Sequence, residues 1–565
     1  MIYWRSHKPS SQLRSKKNVD DARVWRRLPG VCKSDMQAVR PLPKNIFFTL
    51  TFSYFYRYLI MNKRFTFPAL MIALLFIISG CPTVAAQSHS AKPRTIVTTD
   101  GEVDDQDSFI RMLLYSNEFN LIGLVYSSSQ WHYTGDGKGT KFTSEMPMTK
   151  KLYGERTELR WPGTDWMQEF IDKYASVYEN LNKNAPGYPS PDYLKGLVKV
   201  GNIEFEGEME KDTEGSNFIK KILMDDTKEP VYLQIWGGTN TVARALKSIE
   251  DEYKNTTQWV AVSKKVSDKA IIYAVLDQDA TYKKYIAPNW PHVKVFYNAD
   301  QFWNFAYPWP RVVPAELQPY LRGPWFKENI KFNHGPLLAS YYLWGDGTRI
   351  KNDFDHTHGD VSTLAKNDMT QYDFISEGDS PAFFHLIDVG LGNLAEPSFG
   401  GWGGRMVQSK TNPNRWEDGD HVTDYNPYTQ KDDKAYPQTR WIDVLQNDFA
   451  ARADWCVLPY AKANHPPVVK LKHPNSLSAK AGATVQLSAP ATDPDGNKLI
   501  YKWWQYFEVD TYAGKVNVKD PDKGKTSLII PADAKTGDTI HLIAEVTDSG
   551  TPKLTRYQRV IITVK

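Results

Sequence analysis

The 565-residue chain predicts an open α/β domain with a mostly parallel sheet and helices on both faces, followed by a smaller all-β domain. Three observations predict it. From about Pro93 to Tyr460, strand-like and helix-like runs alternate, as in strand–helix–strand units. The first strand-like run, Thr95-Ile96-Val97-Thr98-Thr99, ends in Asp100-Gly101-Glu102-Val103-Asp104-Asp105-Gln106-Asp107-Ser108, then passes into Phe109, Ile110, Met112, Leu113 and Leu114. Acids therefore gather at the carboxyl end of a strand, where open α/β sheets place their ligands. Beyond Ala461–Pro467 the pattern changes to short strands separated by turns.

Taken in order, Ile122–Tyr126 reads as a strand, Phe218–Met224 as a helix, Val231–Ile235 as a strand and Val242–Ile249 as a helix. The quartet Trp259-Val260-Ala261-Val262 and the run Ile271–Val275 both read as strands. Asp212-Thr213-Glu214-Gly215-Ser216-Asn217 reads as the capped start of a helix. Gln301–Pro314 and Pro397–Arg405, rich in Pro, Trp and Gly, read as ordered loops over a site. Asn464-His465-Pro466-Pro467 is a stiff linker, which sets the domains at 92–460 and 466–565. The second carries strands at Val468–Leu471, Thr484–Leu487, Leu499–Trp504, Ser527–Ile530, Thr539–Val546 and Arg559–Val564, with turns at Thr492–Asn497 and Asp548–Pro552. About a hundred residues of this pattern suggest an immunoglobulin-like β-sandwich. No long internal repeat is present.

The formal charge of +4 misleads. Residues 1–80 carry 14 Lys/Arg against 3 Asp/Glu, so the remaining chain is mildly acidic, near −7. That balance gives no support to a nucleic-acid partner. Met61-Asn62-Lys63-Arg64, the apolar run Phe65–Ile78 and the small residues after it have the layout of a signal peptide over 61–86. Two exits compete: a lipobox at Ile78-Ser79-Gly80-Cys81, with Cys81 lipidated, and a signal-peptidase site after Val84-Ala85-Ala86. Export to the periplasm, the cell surface or the medium follows, with membrane contact only through this segment or its lipid. Residues 1–60 are expected to be an over-extended start preceding the initiator Met61; the alternative is a cytoplasmic tail before a signal anchor. Cys32, Cys81 and Cys456 are the only cysteines, so a processed chain has no internal disulfide and relies on its cores. Aromatic residues make up 13%, and flat aromatic faces suit sugar rings.

So many carboxylates in so short a stretch repel one another unless water or a cation screens them. A hard cation with oxygen ligands, Ca²⁺ before Mg²⁺, accounts for them; an acidic N-cap on a surface helix is the plainer alternative. Asp136-Gly137-Lys138-Gly139-Thr140 lacks the spacing of a phosphate loop. Asp353-Phe354-Asp355-His356-Thr357-His358-Gly359-Asp360 holds residues that a transition metal uses, or is a solvated loop.

Asp100-Gly101-Glu102-Val103-Asp104-Asp105 resembles the N-terminal Asp motif of the inosine–uridine nucleoside hydrolases. More specifically, Thr99–Ser108 resembles the nucleoside-hydrolase-like domain of a group of bacterial cellulose-binding proteins, which also carry a C-terminal sandwich. The resemblance spans nearly everything from 93 to 565 and implies a nucleoside-hydrolase-like sheet. It implies that Asp105 and Asp100 bind Ca²⁺, with Asp100 also the candidate base, and that Asp104 holds sugar hydroxyls and belongs to the catalytic set. Leu233-Gln234-Ile235-Trp236-Gly237-Gly238-Thr239-Asn240 resembles the family strand whose main-chain carbonyl, here that of Trp236, reaches the calcium. Glu377-Gly378-Asp379-Ser380-Pro381 resembles the late His-Asp-Pro segment. Asp379 matches its carboxylate, Gly378 stands where the family has His, and Glu377 is a substitute acid. Thr98 stands where the hydrolases have a further Asp.

Trp131, His132, Asn240 and Trp402 are further candidates for lining a sugar pocket, with Arg405 placed near a ligand by the surrounding glycines. Such a site suits cleavage at an anomeric carbon, where a metal orients hydroxyls and acidifies water while a carboxylate takes the proton. The reading is an exported Ca²⁺-dependent hydrolase of glycosyl bonds in a carbohydrate or glycoside. The alternative, favoured by Thr98 and Gly378, is a non-catalytic carbohydrate-binding protein on the same fold.

Overall fold

A computed structural model describes residues 92–565. The expectations for 1–60 and for the signal segment 61–86 fall outside the described residues. Strands β1 (Arg94–Thr99), β2 (Asn120–Tyr126), β3 (Val198–Val200), β4 (Val231–Ile235), β5 (Ala270–Val275) and β6 (Lys294–Asn298) belong to one eight-stranded sheet. Its far edge is formed by β7 (Val407–Gln408) and β8 (Arg415–Glu417), giving the order β3-β2-β1-β4-β5-β6-β8-β7. Every neighbouring pair is parallel except β7 with β8. This is the α/β fold, with a mostly parallel sheet, that the alternating runs predict.

Both faces are covered, because successive strand residues point opposite ways. Ile96, Leu233, Ile235 and Ile272 enter one buried core, while Val97, Tyr273 and Val275 enter the other. Helix α1 (Val103–Tyr115) lies on the Val97 side. Helices α2 (Glu214–Met224), α3 (Asn240–Tyr253) and α4 (Trp259–Lys269) supply the opposite core. Helix α2 opens with a reciprocal cap between Thr213 and Ser216, the capping role expected for that segment. The quartet Trp259–Val262 is helical, not a strand. Val262 and Val266, one helical turn apart, are buried while Val260 faces solvent, so the helical period overrides the β-propensity of the residues.

The C-terminal region is β-rich. A four-stranded sheet and a three-stranded sheet share one core that includes Leu487, Trp503, Leu528, Leu542 and Val560. It does not stand apart from the α/β part: the described residues 92–565 lie in one compact unit, and Tyr506, Ile543 and Tyr557 belong to the same buried core as α1. The linker is likewise docked. His465 stacks on Tyr460 with ring centroids 3.9 Å apart, and its ring nitrogens lie within hydrogen-bond reach of Asp495 and Asn184.

Two buried ion networks pin this seam. Asp424 accepts from Arg405, Arg440 and the Tyr506 hydroxyl at 2.7–2.9 Å. On helix α5 (Ile442–Val457), Asp448 accepts from Arg452 and, across the seam, from Arg556, both at 2.9 Å. Burial pushes the Asp448 carboxyl up, but Arg556 and Arg452 outweigh it and hold it below the ordinary carboxylate range. A carboxyl depressed in this way stabilises the fold above its unfolded value, near 3.9, and that contribution fades as the pH falls through the native value. Asp448→Ala takes its carboxylate partner from Arg556 and one of two from Arg452, which keeps Glu118, and is expected to cost about 3 kcal/mol, read as a lowered urea midpoint at pH 7. The difference from wild type should shrink below about pH 4.

Candidate functional site

Strand β1 ends at Thr99, and the chain turns through Gly101 into α1. Gly101 has φ +80°, and a β-carbon there would meet Pro162 and Trp166, so only glycine makes this turn without strain. The turn swings Asp104 and Asp105 onto the first turn of α1, above the sheet end. Asp379 arrives from far along the chain, as the residue that precedes the short helix Ser380–Phe384.

 Carboxylate oxygens of Asp104, Asp105 and Asp379 lie within 4.8 Å of one another. Oxygens bound to one Ca²⁺ at about 2.3–2.6 Å lie no more than about 5 Å apart, so these three acids converge on a space a divalent cation can fill. Among the described residues this is the one His/Cys/Asp/Glu group so arranged.

Asp100 borders the cluster. Its main-chain N–H donates to Asp105 Oδ1 at 3.2 Å, and a β-carbon at 237 would stand 2.9 Å from its side chain, so the turn after β4 abuts it. Asp100, Asp105 and Asp379 are only 1–2% exposed. Burial, with Glu102 and Asp100 nearby, pushes the Asp104 carboxyl up to about 8. Burial and the surrounding carboxylates raise Asp105 and Asp379 as well. Asp104 Oδ1 and Asp100 Oδ2 are buried with no hydrogen-bond partner. Gathered anions with orphaned oxygens fit a bound cation.

His132 stands on the other side of Asp100. Its Nδ1 is 3.5 Å from Asp100 Oδ2 and its Nε2 is 3.5 Å from Asp353 Oδ2, distances of ion pairing rather than of strong hydrogen bonds. Burial and Arg160 pull the imidazole down, but the two carboxylates more than offset them and raise it to about 9. Arg160 closes the row with two bonds to Asp353, at 2.8 and 3.0 Å. Asp353 thus serves as a partner of His132 and Arg160 rather than as part of a transition-metal loop. His356 and His358 are packed among aromatic rings, and burial lowers them to about 4 and 3. The partnership of Asp353 with His132 had no local signal, since 221 positions separate them.

Several expected site residues lie elsewhere. Both Glu377 oxygens are engaged, by Arg111 at 3.3 Å and Ser380 at 2.7 Å and by the Tyr341 hydroxyl. It balances a buried arginine and has no free oxygen to serve as an acid. Asn240 donates to Ser128, to the Asn202 carbonyl and to the Glu208 carbonyl at 2.9–3.1 Å, and accepts from Ser127 at 2.8 Å. Its hydrogen-bonding capacity is spent within the fold. Trp402 is 1% exposed and packs in the core near the C-terminal region, while Arg405 is held by Asp424. The Trp236 carbonyl accepts from Gln278 at 2.6 Å. Trp131 is partly exposed and meets Tyr153 edge-on, with centroids 6.4 Å apart. The Thr98 hydroxyl points back to the Gln234 carbonyl at 3.4 Å.

Segment Gln301–Pro314, partly helical at Gln301–Phe305 and Trp309–Val312, runs beside the cluster. Phe302 and Ala306 stand against Gly378 beside Asp104, and the Tyr307 hydroxyl donates to Glu102 at 2.9 Å. Tyr307 and Glu102 went unnoticed in the sequence as a pair, because they meet only in the fold.

A parallel sheet carrying an acid cluster at its strand ends defines a protein of the nucleoside-hydrolase-like class. The family model described as "Cellulose-binding Sde182, nucleoside hydrolase-like domain" matches residues 94–406, more than half of the chain, and the chain belongs to that family. The model described as "Cellulose-binding protein Sde0182, C-terminal domain" matches residues 484–564. Among solved structures, the chain is similar to a nucleoside hydrolase-related hypothetical protein from Saccharophagus degradans, described as associated with carbohydrate metabolism. The two are 26% identical with a TM-score of 0.61, covering 84% of this chain and 100% of that one. A plant nucleoside hydrolase, PpNRh1, also matches, at 9% identity and a TM-score of 0.28, over 65% of this chain and 100% of its own. No curated protein matches the chain.

Two outcomes are expected. A divalent cation raises the melting temperature of wild type in a concentration-dependent way, by about 2.7 kcal/mol of stability at a hundredfold excess over Kd. Asp379→Ala removes that response, measured by calorimetry across a cation series. Glu377→Ala leaves Arg111 buried without its anion and costs about 3–5 kcal/mol, read as a lower denaturant midpoint, while the cation response persists.

Proposed function

We propose that this chain is an exported carbohydrate-binding protein in which the acid cluster of a hydrolase-like fold holds Ca²⁺ without carrying out hydrolysis. The observation that carries the reading is Glu377. The side chain expected to replace the family's missing histidine as acid has both oxygens tied to buried partners. A base without an acid leaves the departing group unprotonated. The near-complete burial of Asp100, Asp105 and Asp379 and the family's cellulose-binding description support it further. Asp100, Asp104, Asp105 and Asp379 would hold the ion. When bound, calcium supplies the positive charge that the gathered carboxylates lack. Asp104, the most exposed of the four, would face a sugar hydroxyl. The C-terminal region is read as an Ig-like sandwich that braces the α/β part, and export runs through 61–86 with Cys81 as the lipid site.

A second reading, Ca²⁺-dependent glycosyl hydrolysis, draws on one observation: His132, raised to about 9, sits against Asp100 and would stand in as the proton donor.

The two readings part on one experiment. Purified protein is mixed with insoluble cellulose and with a panel of soluble glycans and aryl glycosides, with calcium or with chelator. Retention with no reducing sugar or aglycone above that of Asp105→Asn is the expected result. Calcium-dependent release that Asp105→Asn and His132→Gln both abolish would establish the hydrolase instead.

A further inference from the structure

A cleft of about 860 Å³ opens between the α/β part and the C-terminal region. It shares no lining residue with the acid cluster. One wall is the hairpin of strands Asp424–Asn426 and Lys431–Asp433, which contributes Tyr425 and Tyr428. The other includes Trp504 and Phe507 from the C-terminal region. We propose that this cleft binds a segment of a neutral glycan chain, with Tyr425, Tyr428 and Phe507 as platforms for the sugar rings. The inference rests on the carbohydrate-binding reading above and gives that binding a second place.

The volume lies within the range of about 300–1,000 Å³ usual for ligand clefts. Tyr425, Tyr428 and Phe507 are 49%, 44% and 38% exposed. Grouped on one cleft, these rings form the kind of exposed apolar surface that marks ligand-binding grooves. They are also held in place. The Tyr425 main-chain N–H donates to Glu508 across the cleft at 3.0 Å. At the base, the Arg440 guanidinium lies 4.5–5.4 Å from the ring centroids of Tyr436, Trp441, Trp504 and Tyr506 and is anchored to Asp424 at 2.9 Å. The Trp504 indole N–H is bound to Glu545 at 2.9 Å. A cleft ordered before binding loses little entropy on taking a ligand.

Charge selects the ligand class. Asp432, Asp443, Glu508 and Glu545 face Arg440, Lys502 and Lys515, so the signs nearly balance and no strong field favours a polyanion or polycation. Hydrogen-bond donors and acceptors are both present beside apolar ring faces. That combination matches a ligand whose rings have apolar faces and hydroxylated edges.

The test uses cellohexaose and xylohexaose as probes, titrated by calorimetry into the full-length protein, its Tyr425→Ala/Tyr428→Ala variant and Asp104→Ala. The expected result is two binding events in wild type: the tyrosine variant weakens one of them at least tenfold, with its melting temperature and calcium response unchanged, while Asp104→Ala keeps that event and loses only the one at the acid cluster. Unchanged affinity in the tyrosine variant with loss in Asp104→Ala assigns binding to the acid cluster and overturns the inference while sparing the carbohydrate reading. No binding by wild type to either probe or to the wider glycan panel overturns both. Sedimentation showing a wild-type dimer that the tyrosine variant dissociates, at unchanged glycan affinity, gives the cleft to a second copy of the chain and also overturns it. Should the tyrosine variant fail to fold, acetylation of Tyr425 and Tyr428 in wild type is mapped with and without cellohexaose: protection supports the site, and equal labelling overturns it.

Discussion

The constraint on which the rest of this molecule depends is the confinement of like charge at the end of β1. Four aspartates, 100, 104, 105 and 379, are drawn together where little water reaches three of them. Left alone, such a group loses stability through both desolvation and mutual repulsion. The chain offers His132 and Arg160 as cations nearby, but both are committed to Asp353 as well. The balance therefore calls for a positive charge from outside the chain, or for protons retained well above the usual carboxylate range, as the raised values of Asp104, Asp105 and Asp379 describe.

Much of this was legible in the sequence because it is local. Asp100, Asp104 and Asp105 share one turn, and strand–helix alternation yields the parallel sheet with two covered faces. The convergence of Asp379 followed only through the family resemblance, since nothing in its own surroundings singles it out. The expected site residues whose side chains the fold engages elsewhere share a physical feature. Asn240, Trp402 and Glu377 are polar or aromatic residues beside glycine-rich turns, and in sequence a side chain that serves the fold looks the same as one that serves a ligand. Whether a hydrogen-bonding group is free depends on partners such as Arg111 and Tyr341, which lie 266 and 36 positions from Glu377. The quartet Trp259–Val262 failed differently: its β-branched residues suggested a strand, and the helical spacing of Val262 and Val266 prevailed.

The seam between the α/β part and the C-terminal region was the least legible feature. Composition shifts at 461–467 mark a change of architecture, and a stiff Pro-rich joint suggested two bodies. The structure buries that joint and runs one hydrophobic core across it. Charged side chains do the same on a finer scale: Asp424 and Asp448 each bind arginines from separate parts of the chain. A buried carboxylate shared by two guanidiniums fixes orientation as well as proximity, because each planar donor set tolerates few geometries.

That seam also ties the two candidate binding places to one scaffold. Gln301 begins the segment that runs beside the acid cluster, and its side chain bonds the main chain of Arg405 at 2.6 and 2.9 Å. Arg405 holds Asp424, the first residue of the hairpin that carries Tyr425 and Tyr428. Asp424 in turn holds Arg440, whose guanidinium lies among the rings at the base of the cleft. An unbroken row of hydrogen bonds and ion pairs therefore joins the segment beside the acid cluster to the wall of the aromatic cleft. Physical continuity of this kind is not energetic coupling, which requires an element with two states that both sites bias. What the row does supply is rigidity. A glycan seated on the tyrosines would meet a surface whose position is set by the same buried charges that hold the segment beside the aspartates.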